Sequence, residues 1–268
     1  MSVVKAGFVG CGAIGTSLAR IIKSDLSSEM AVVAVCDQDR ARAQRLLEIW
    51  PKAKIADLPG VIRSCDLVIE AASAAVSYEV AQAGLKAGKR VLTMSIGGIL
   101  GKEKELSLLA QKTGGRLLLP SGAICGLDGI KALSLVGVTS LTLNTYKAPK
   151  ALAGAPFLKE KNLDLSKIRQ ETLVFSGPAE EAVKGFPQNI NVVALLQIAS
   201  GISVQVKIWA RPGLEKNIHM IEIVSPAAHV KIECENVPSP DNPKTSFLAI
   251  LSAAAVLKNF SQAMHVGA

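Results

Sequence analysis

Aromatic residues make up only 4% of this 268-residue chain, so its core has to be assembled from Ala, Val, Leu and Ile. Such a composition suits parallel strands flanked by helices, whose buried faces favour branched aliphatics. Cysteine is sparse and unpatterned: Cys11, Cys36, Cys65, Cys125 and Cys234 are odd in number and form no Cys-x-x-C pair. The three histidines, His219, His229 and His265, are too dispersed for zinc spacing, so no metal site is expected. Thiols of this kind read as reduced, which points to a cytoplasmic protein. Basic runs are also missing, although Lys and Arg outnumber Asp and Glu by 30 to 22. Scattered charges with no stacking aromatics between them argue against nucleic acid and leave small anionic ligands. The longest apolar stretch, 247–257, is too short for a bilayer and is broken by Ser252. Gly7, Gly10, Gly12 and Gly15 would break the apolar part of a signal peptide. A soluble protein is expected, with no membrane partner.

What the chain does have is apolar bulk, at 49% of residues, and a length that suits two modest domains. Its first part alternates short apolar runs with amphipathic stretches, the βαβ signature. Strands are expected at 3–9, 31–36, 67–70, 90–93 and 116–119, with helices at 14–23, 40–50, 76–87 and 102–112. After Ser121-Gly122-Ala123 the rhythm changes. Strands at 141–146, 204–210, 219–224 and 229–235 alternate as half-exposed antiparallel strands do. Helices are expected at 179–184 and 191–199, and a last one at 245–260. The fold class is therefore α/β: an N-terminal Rossmann doubly wound parallel sheet, then a smaller α+β substrate domain with a mostly antiparallel sheet. The boundaries are 1–123 for the first domain, completed by a helix at 245–264, and 124–244 for the second.

Gly10-Cys11-Gly12-Ala13-Ile14-Gly15 is a G-x-G-x-x-G that follows a strand and opens a helix. Its glycines serve a tight turn, close approach of a pyrophosphate and close helix–strand packing. The helix amides then face the phosphates, where the dipole favours negative charge. Asp37 ends the second strand about 20 residues further on, where a carboxylate grips the ribose hydroxyls. The expected cofactor is NAD or NADP, with NAD favoured because Asp37 repels a 2′-phosphate; Arg40 is placed to accommodate one. Ligands of open parallel sheets lie beyond the carboxyl ends of the strands. The segments Glu70-Ala71-Ala72-Ser73 and Ser95-Ile96-Gly97-Gly98 should therefore border the dinucleotide, with Ala72 and Ser73 as contacts.

Taken in order, six segments resemble the L-aspartate dehydrogenase family over essentially the whole chain. They are Glu70-Ala71-Ala72-Ser73, Pro120-Ser121-Gly122-Ala123-Ile124, Gly126-Leu127-Asp128, Phe186 through Val192, Asn217-Ile218-His219 and Asn242 through Ser246. The resemblance implies oxidative deamination of L-aspartate through iminoaspartate to oxaloacetate and ammonia. It further implies a homodimer, with dimerisation through the second domain, and a link to NAD biosynthesis. In its terms His219 is the catalytic residue, while Ala123 and Asn191 hold the nicotinamide end. Two positions depart from the pattern: Cys125 stands where the family commonly has Gly, and Tyr146 where it has Arg. The second departure removes the arginine that a substrate carboxylate would use.

The chemistry asks for such groups. The substrate ammonium must lose a proton before hydride can leave, and water addition and ammonia release need further transfers. A histidine can serve them. His229, on the next strand, is the substitute for His219. Two carboxylates on a desolvated substrate call for cationic or amide donors. Lys147, Lys244 and Asn189 are the candidates, Asn189 and Asn191 standing two apart at a helix start. Two other readings remain open at this point. One is a semialdehyde dehydrogenase with Cys125 as nucleophile and His219 as base; the other is a non-catalytic NAD(H)-binding sensor or scaffold.

Overall fold

A computed structural model describes residues 3–187, 190–260, 262 and 264, the side chains of 243 and 244 excepted. The chain divides into two compact units. The first comprises Met1–Pro120, Pro240–Thr245 and Ala249–His265; the second comprises Ser121–Ser239 and Ser246–Leu248.

The first unit runs β1 (Val4–Val9), α1 (Ala13–Asp25), β2 (Met30–Cys36), α2 (Arg40–Ile49), β3 (Lys54–Ile55), α3 (Leu58–Ser64), β4 (Leu67–Glu70), α4 (Ala74–Lys86), β5 (Arg90–Thr93), α5 (Glu103–Thr113) and β6 (Arg116–Leu118). Its strands pair in the order β3-β2-β1-β4-β5-β6, and every pair is parallel. The order reverses between β1 and β4, so the loops following these two strands flank a topological switch point. Ala6, Phe8, Val35, Leu67, Val68, Ile69, Val91 and Leu92 are fully buried, as expected for strands covered on both faces. Strand 67–70 and strand 90–93 coincide with the expected bounds. β3 and α3 are additions: Asp57 caps α3 by accepting from Gly60 N at 2.8 Å. Pro240–Thr245 joins this unit because Asp241 accepts from Ser17 Oγ (2.7 Å) and Arg20 Nη1 (2.9 Å) on α1.

The second unit contains α6 (Leu127–Ser134), β7 (Ser140–Lys147), α7 (Pro149–Leu152), α8 (Pro156–Glu160), β8 (Thr172–Pro178), α9 (Ala179–Gly185), α10 (Ile190–Ser200), β9 (Gln205–Ala210), β10 (Asn217–Val224) and β11 (His229–Asn236). Beyond them lie β12 (Pro238–Ser239), β13 (Asn242–Ser246) and α11 (Phe247–Lys258). The sheet order is β11-β10-β7-β9-β8. All neighbours are antiparallel except β7 and β9, which run parallel. α9 packs on β8 and β9, and α10 on α6 and α9. Phe157, Phe175 and Phe186 meet edge-on or tilted, with ring centroids 5.2–5.7 Å apart. No helix among the described residues is long and apolar enough to cross a membrane.

Candidate functional site

In the first unit the glycine loop is shaped by contacts that no side chain could share. Gly10 has φ +96°, and a Cβ there would lie 2.5 Å from the Ala71 backbone. A Cβ on Gly15 would come within 2.2 Å of Gly10 O, so α1 starts hard against the turn. At Gly12 the nearest atom to a Cβ is Arg42 Nη1 at 3.9 Å, which leaves its backbone open to a ligand. Gly10, Gly12, Asp37, Arg42, Ala72 and Ser73 line one cavity of about 390 Å³. Asp37 also fixes the loop: Oδ2 accepts from Cys11 N (2.6 Å) and Oδ1 from Asp39 N (2.8 Å). Each oxygen keeps a second lone pair for a hydroxyl. Ala13 lines an adjoining cavity of about 500 Å³ with Arg20, Arg42 and Arg45, and Ile14 lines neither. The guanidinium shared by the two cavities belongs to Arg42, not to Arg40.

Glu70, at the carboxyl end of β4, clamps this region from below. It is fully buried; Oε1 accepts from Ala72 N (2.8 Å) and Ser95 Oγ (2.9 Å), and Oε2 from Ser95 N (3.1 Å). Burial pushes its carboxyl above the usual range while these donors pull it back. The loops after β4 and β5 are thus tied through one carboxylate.

The second unit places His219 on β10, between β7 and β11 and in register with Thr145 and Cys234. Side chains of directly paired residues leave the same face. His219 Nδ1 lies 3.0 Å from Thr145 Oγ1. Strand alternation puts Lys147, two residues beyond Thr145, on that face as well. Both groups are buried, His219 at 6% exposure and Lys147 at 7%. Burial pushes Lys147 down to about 8. Burial, then the Lys147 charge, pushes His219 down to about 3, far from the near-neutral titration expected of a free imidazole. Among the described residues no carboxylate pairs with Lys147.

Other candidates fall elsewhere. His229 is exposed at the start of β11 and bonded to Glu222 (2.7 Å). Tyr146 points to the opposite face from His219: it stacks on Trp209, with Arg211 4.4 Å above its ring. Position 146 therefore lies away from the imidazole whatever residue fills it. Asn191 is exposed in the first turn of α10, whereas Asn189, His265 and the side chain of Lys244 lie outside the described residues. Ala123 O accepts from Asn236 Nδ2 at 3.0 Å. Cys125 is exposed and acts on the Cys234 thiol, and among the described residues no hydrogen bond joins it to a histidine. Thr145, Asn236 and Arg42 escaped sequence reasoning; the only signal for Thr145 and Lys147 was polar residues at alternate places in an apolar strand.

A glycine-lined cavity at the switch point of a parallel sheet is where Rossmann domains take pyridine dinucleotides, and the residues present fit one. The class so defined is the nicotinamide-dependent oxidoreductases. Residues 10–120 match the family model described as homoserine dehydrogenase, NAD binding domain, and residues 128–260 that described as aspartate dehydrogenase, C-terminal. The L-aspartate dehydrogenase of Methanosarcina mazei is 40% identical over 99% of this chain and all of its own length. L-aspartate dehydrogenase 3 of Bordetella bronchiseptica is 36% identical over 96% of this chain and 95% of its own. The crystal structure of aspartate dehydrogenase from Thermotoga maritima superposes with a TM-score of 0.80 at 25% identity, covering 99% of this chain and all of that one. The chain belongs to the L-aspartate dehydrogenase family.

Proposed function

We propose that the protein oxidises L-aspartate to iminoaspartate, which hydrolyses to oxaloacetate and ammonia. The observation that carries the substrate class is Lys147: a buried cation that meets no carboxylate among the described residues, on the same sheet face as a buried histidine. Burying an unmatched charge is costly. A dicarboxylate supplies the missing anion.

A bound nicotinamide would supply the hydride acceptor that oxidation at the substrate Cα requires. The chain's own groups handle charge and protons. With its proton on Nδ1 and donated to Thr145 Oγ1, His219 presents an Nε2 lone pair as base. In the ligand-free protein it cannot hold a proton near pH 7, since burial and Lys147 keep it at about 3. A substrate carboxylate beside both groups favours their charged forms, so Lys147 and His219 gain proton affinity as the site fills. His219 is then able to take a proton from the substrate ammonium, and from the water that adds to the imine.

NAD is the preferred coenzyme in this reading, because Asp37 lines the cavity with a negative charge that would repel a 2′-phosphate. Arg42 lets NADP enter as a weaker alternative. Supply of iminoaspartate to NAD biosynthesis, a homodimeric state and a cytoplasmic location complete the proposal. The deciding experiment follows the NADH absorbance band over aspartate, homoserine, alanine and malate, with each coenzyme, on the parent and on His219→Ala. Turnover of aspartate alone is expected. Preference for another of the four discards the substrate assignment.

A further inference from the structure

Cys125, one of the two positions that the family resemblance sets apart, has no task in the proposed reaction, and its surroundings supply one. Cys234, on β11, stands directly opposite His219. The segment carrying Cys125 is laid over the same stretch of β11. Asn236 Nδ2 donates to Ala123 O (3.0 Å) and to Cys234 O (3.3 Å), which ties position 123 to the strand end. At Gly126, whose φ is +75°, a Cβ would sit 2.5 Å from Ile232 Cδ1. With 123 held at 236 and 126 held at 232, residue 125 falls over 234. The two thiols lie near enough to act on each other: after burial, Cys125 is the next cause that pushes the Cys234 thiol up. Cys125 is exposed while Cys234 is buried.

We propose that Cys125 and Cys234 form an oxidisable dithiol, which a hydroperoxide closes to a disulfide that disables the neighbouring His219 site. The exposed sulfur of Cys125 attacks the peroxide: the O–O bond breaks, one oxygen stays on sulfur as a sulfenic acid, and the alcohol or water leaves. The Cys234 sulfur then displaces that oxygen. An S–S bond forms, the S–O bond breaks, and the oxygen departs as water with the thiol's proton. Two electrons pass from the thiols to the peroxide. Burial and the neighbouring Cys125 push the Cys234 thiol up, which suits it to the second step rather than the first. An S–S bond is about 2.05 Å long, shorter than any contact between two free thiols, so closure pulls the 123–126 segment onto β11 beside His219. Cys11 is no competitor: burial and Asp37 push its thiol up to about 12.

The loss of activity rests on the aspartate reading, but the bond does not, and the test separates them. Purified enzyme is treated with hydrogen peroxide, alkylated, digested and mapped by mass. Two of the five thiols should become unalkylatable and appear as a Cys125–Cys234 cross-link, lighter by two hydrogens. Aspartate turnover should fall about tenfold or more, the scale of a misplaced catalytic group, and return with dithiothreitol. Cys125→Ser and Cys125→Gly should keep parental turnover and resist peroxide. The idea is overturned if both thiols stay alkylatable, if only sulfinic acid forms, or if Cys125→Ser is inactivated as fast as the parent. A cross-link with undiminished turnover overturns the disabling role. An enzyme inactive on aspartate before treatment condemns the function instead, and the mass map still decides the bond.

Discussion

Glu70 in the first unit and Lys147 in the second are both nearly inaccessible, yet their surroundings treat them in opposite ways. Glu70 is met by three donors from the loops after β4 and β5, so its charge is spent on holding backbone. Lys147 shares its face with Thr145 and His219 and meets no carboxylate among the described residues. A satisfied buried charge is a structural clamp; an unsatisfied one marks where something from outside must bind. Sequence does not separate the two, because each is a single charge at the end of a strand.

The largest effect should come from removing the group that shares the Lys147 face and is proposed to do the proton chemistry. His219→Ala is expected to lower kcat for aspartate by about 10²–10⁴-fold while NADH still binds, as read by fluorescence titration. If turnover falls by less than a factor of five, the second unit's buried pair is not where catalysis happens.

Next comes Lys147→Met, which should raise KM for aspartate by about 10- to 100-fold, the worth of a hydrogen bond to a charged group. Dinucleotide affinity should not change. The same substitution should stabilise the ligand-free protein, because it deletes a buried charge. Below pH 8 the gain is on the order of 3 kcal/mol, from the fall of Lys147 from 10.5 to about 8. Between those two pH values the unfolded chain binds a proton that the folded chain has released, so parental stability should rise with pH across that window. Thermal melts from pH 7 to 10.5 would show the rise in the parent and its absence in Lys147→Met. Flat parental melts would mean that Lys147 has a partner.

Glu70→Gln should act in the opposite sense. One carboxylate oxygen becomes an NH₂ facing a donor, so stability should drop by about 1–3 kcal/mol. Dinucleotide affinity should weaken several-fold, because Ala72 and Ser73 line the cavity that Glu70 braces. kcat at saturating dinucleotide should hold. A Glu70→Gln protein that melts higher than the parent would erase the contrast between the two buried charges.

The first unit was legible because its rules are local. Glycine spacing and apolar runs are read along the chain, and strands 67–70 and 90–93 coincide with expectation. What was missed there is short or depends on phase. α3 carries Pro59 and Gly60 and is held by the Asp57 cap, while Arg42 rather than Arg40 turns toward the cavity because residues two apart lie on different sides of a helix. In the second unit four of the five strands of the main sheet were expected, but neither β8 nor the pairing of the strands was. The parallel pairing of β7 with β9 is decided by distant chain, and β8 is disguised by a register slip and a Ser-Gly-Pro end. His219 was named by resemblance, but that Thr145 and Lys147 face it follows only from the β7–β10 register.

The smallest effect is expected at Tyr146, the second position that the resemblance sets apart by implying Arg there. Beside Lys147 in the chain it looks like a change at the substrate site. Alternation along β7 sends it to the other face, into a stack with Trp209 at 5.8 Å and under Arg211, which is itself paired with Glu171 at 2.5 Å. Tyr146→Phe keeps the ring and both contacts, so stability should stay within about 0.5 kcal/mol and KM for aspartate within about twofold. Tyr146→Arg sets a second cation against Arg211. It should cost stability without tightening aspartate, because no side chain at that position reaches the face of His219. A lower KM for aspartate in Tyr146→Arg would mean that the carboxylates are read from that other face, and Lys147 would lose its role.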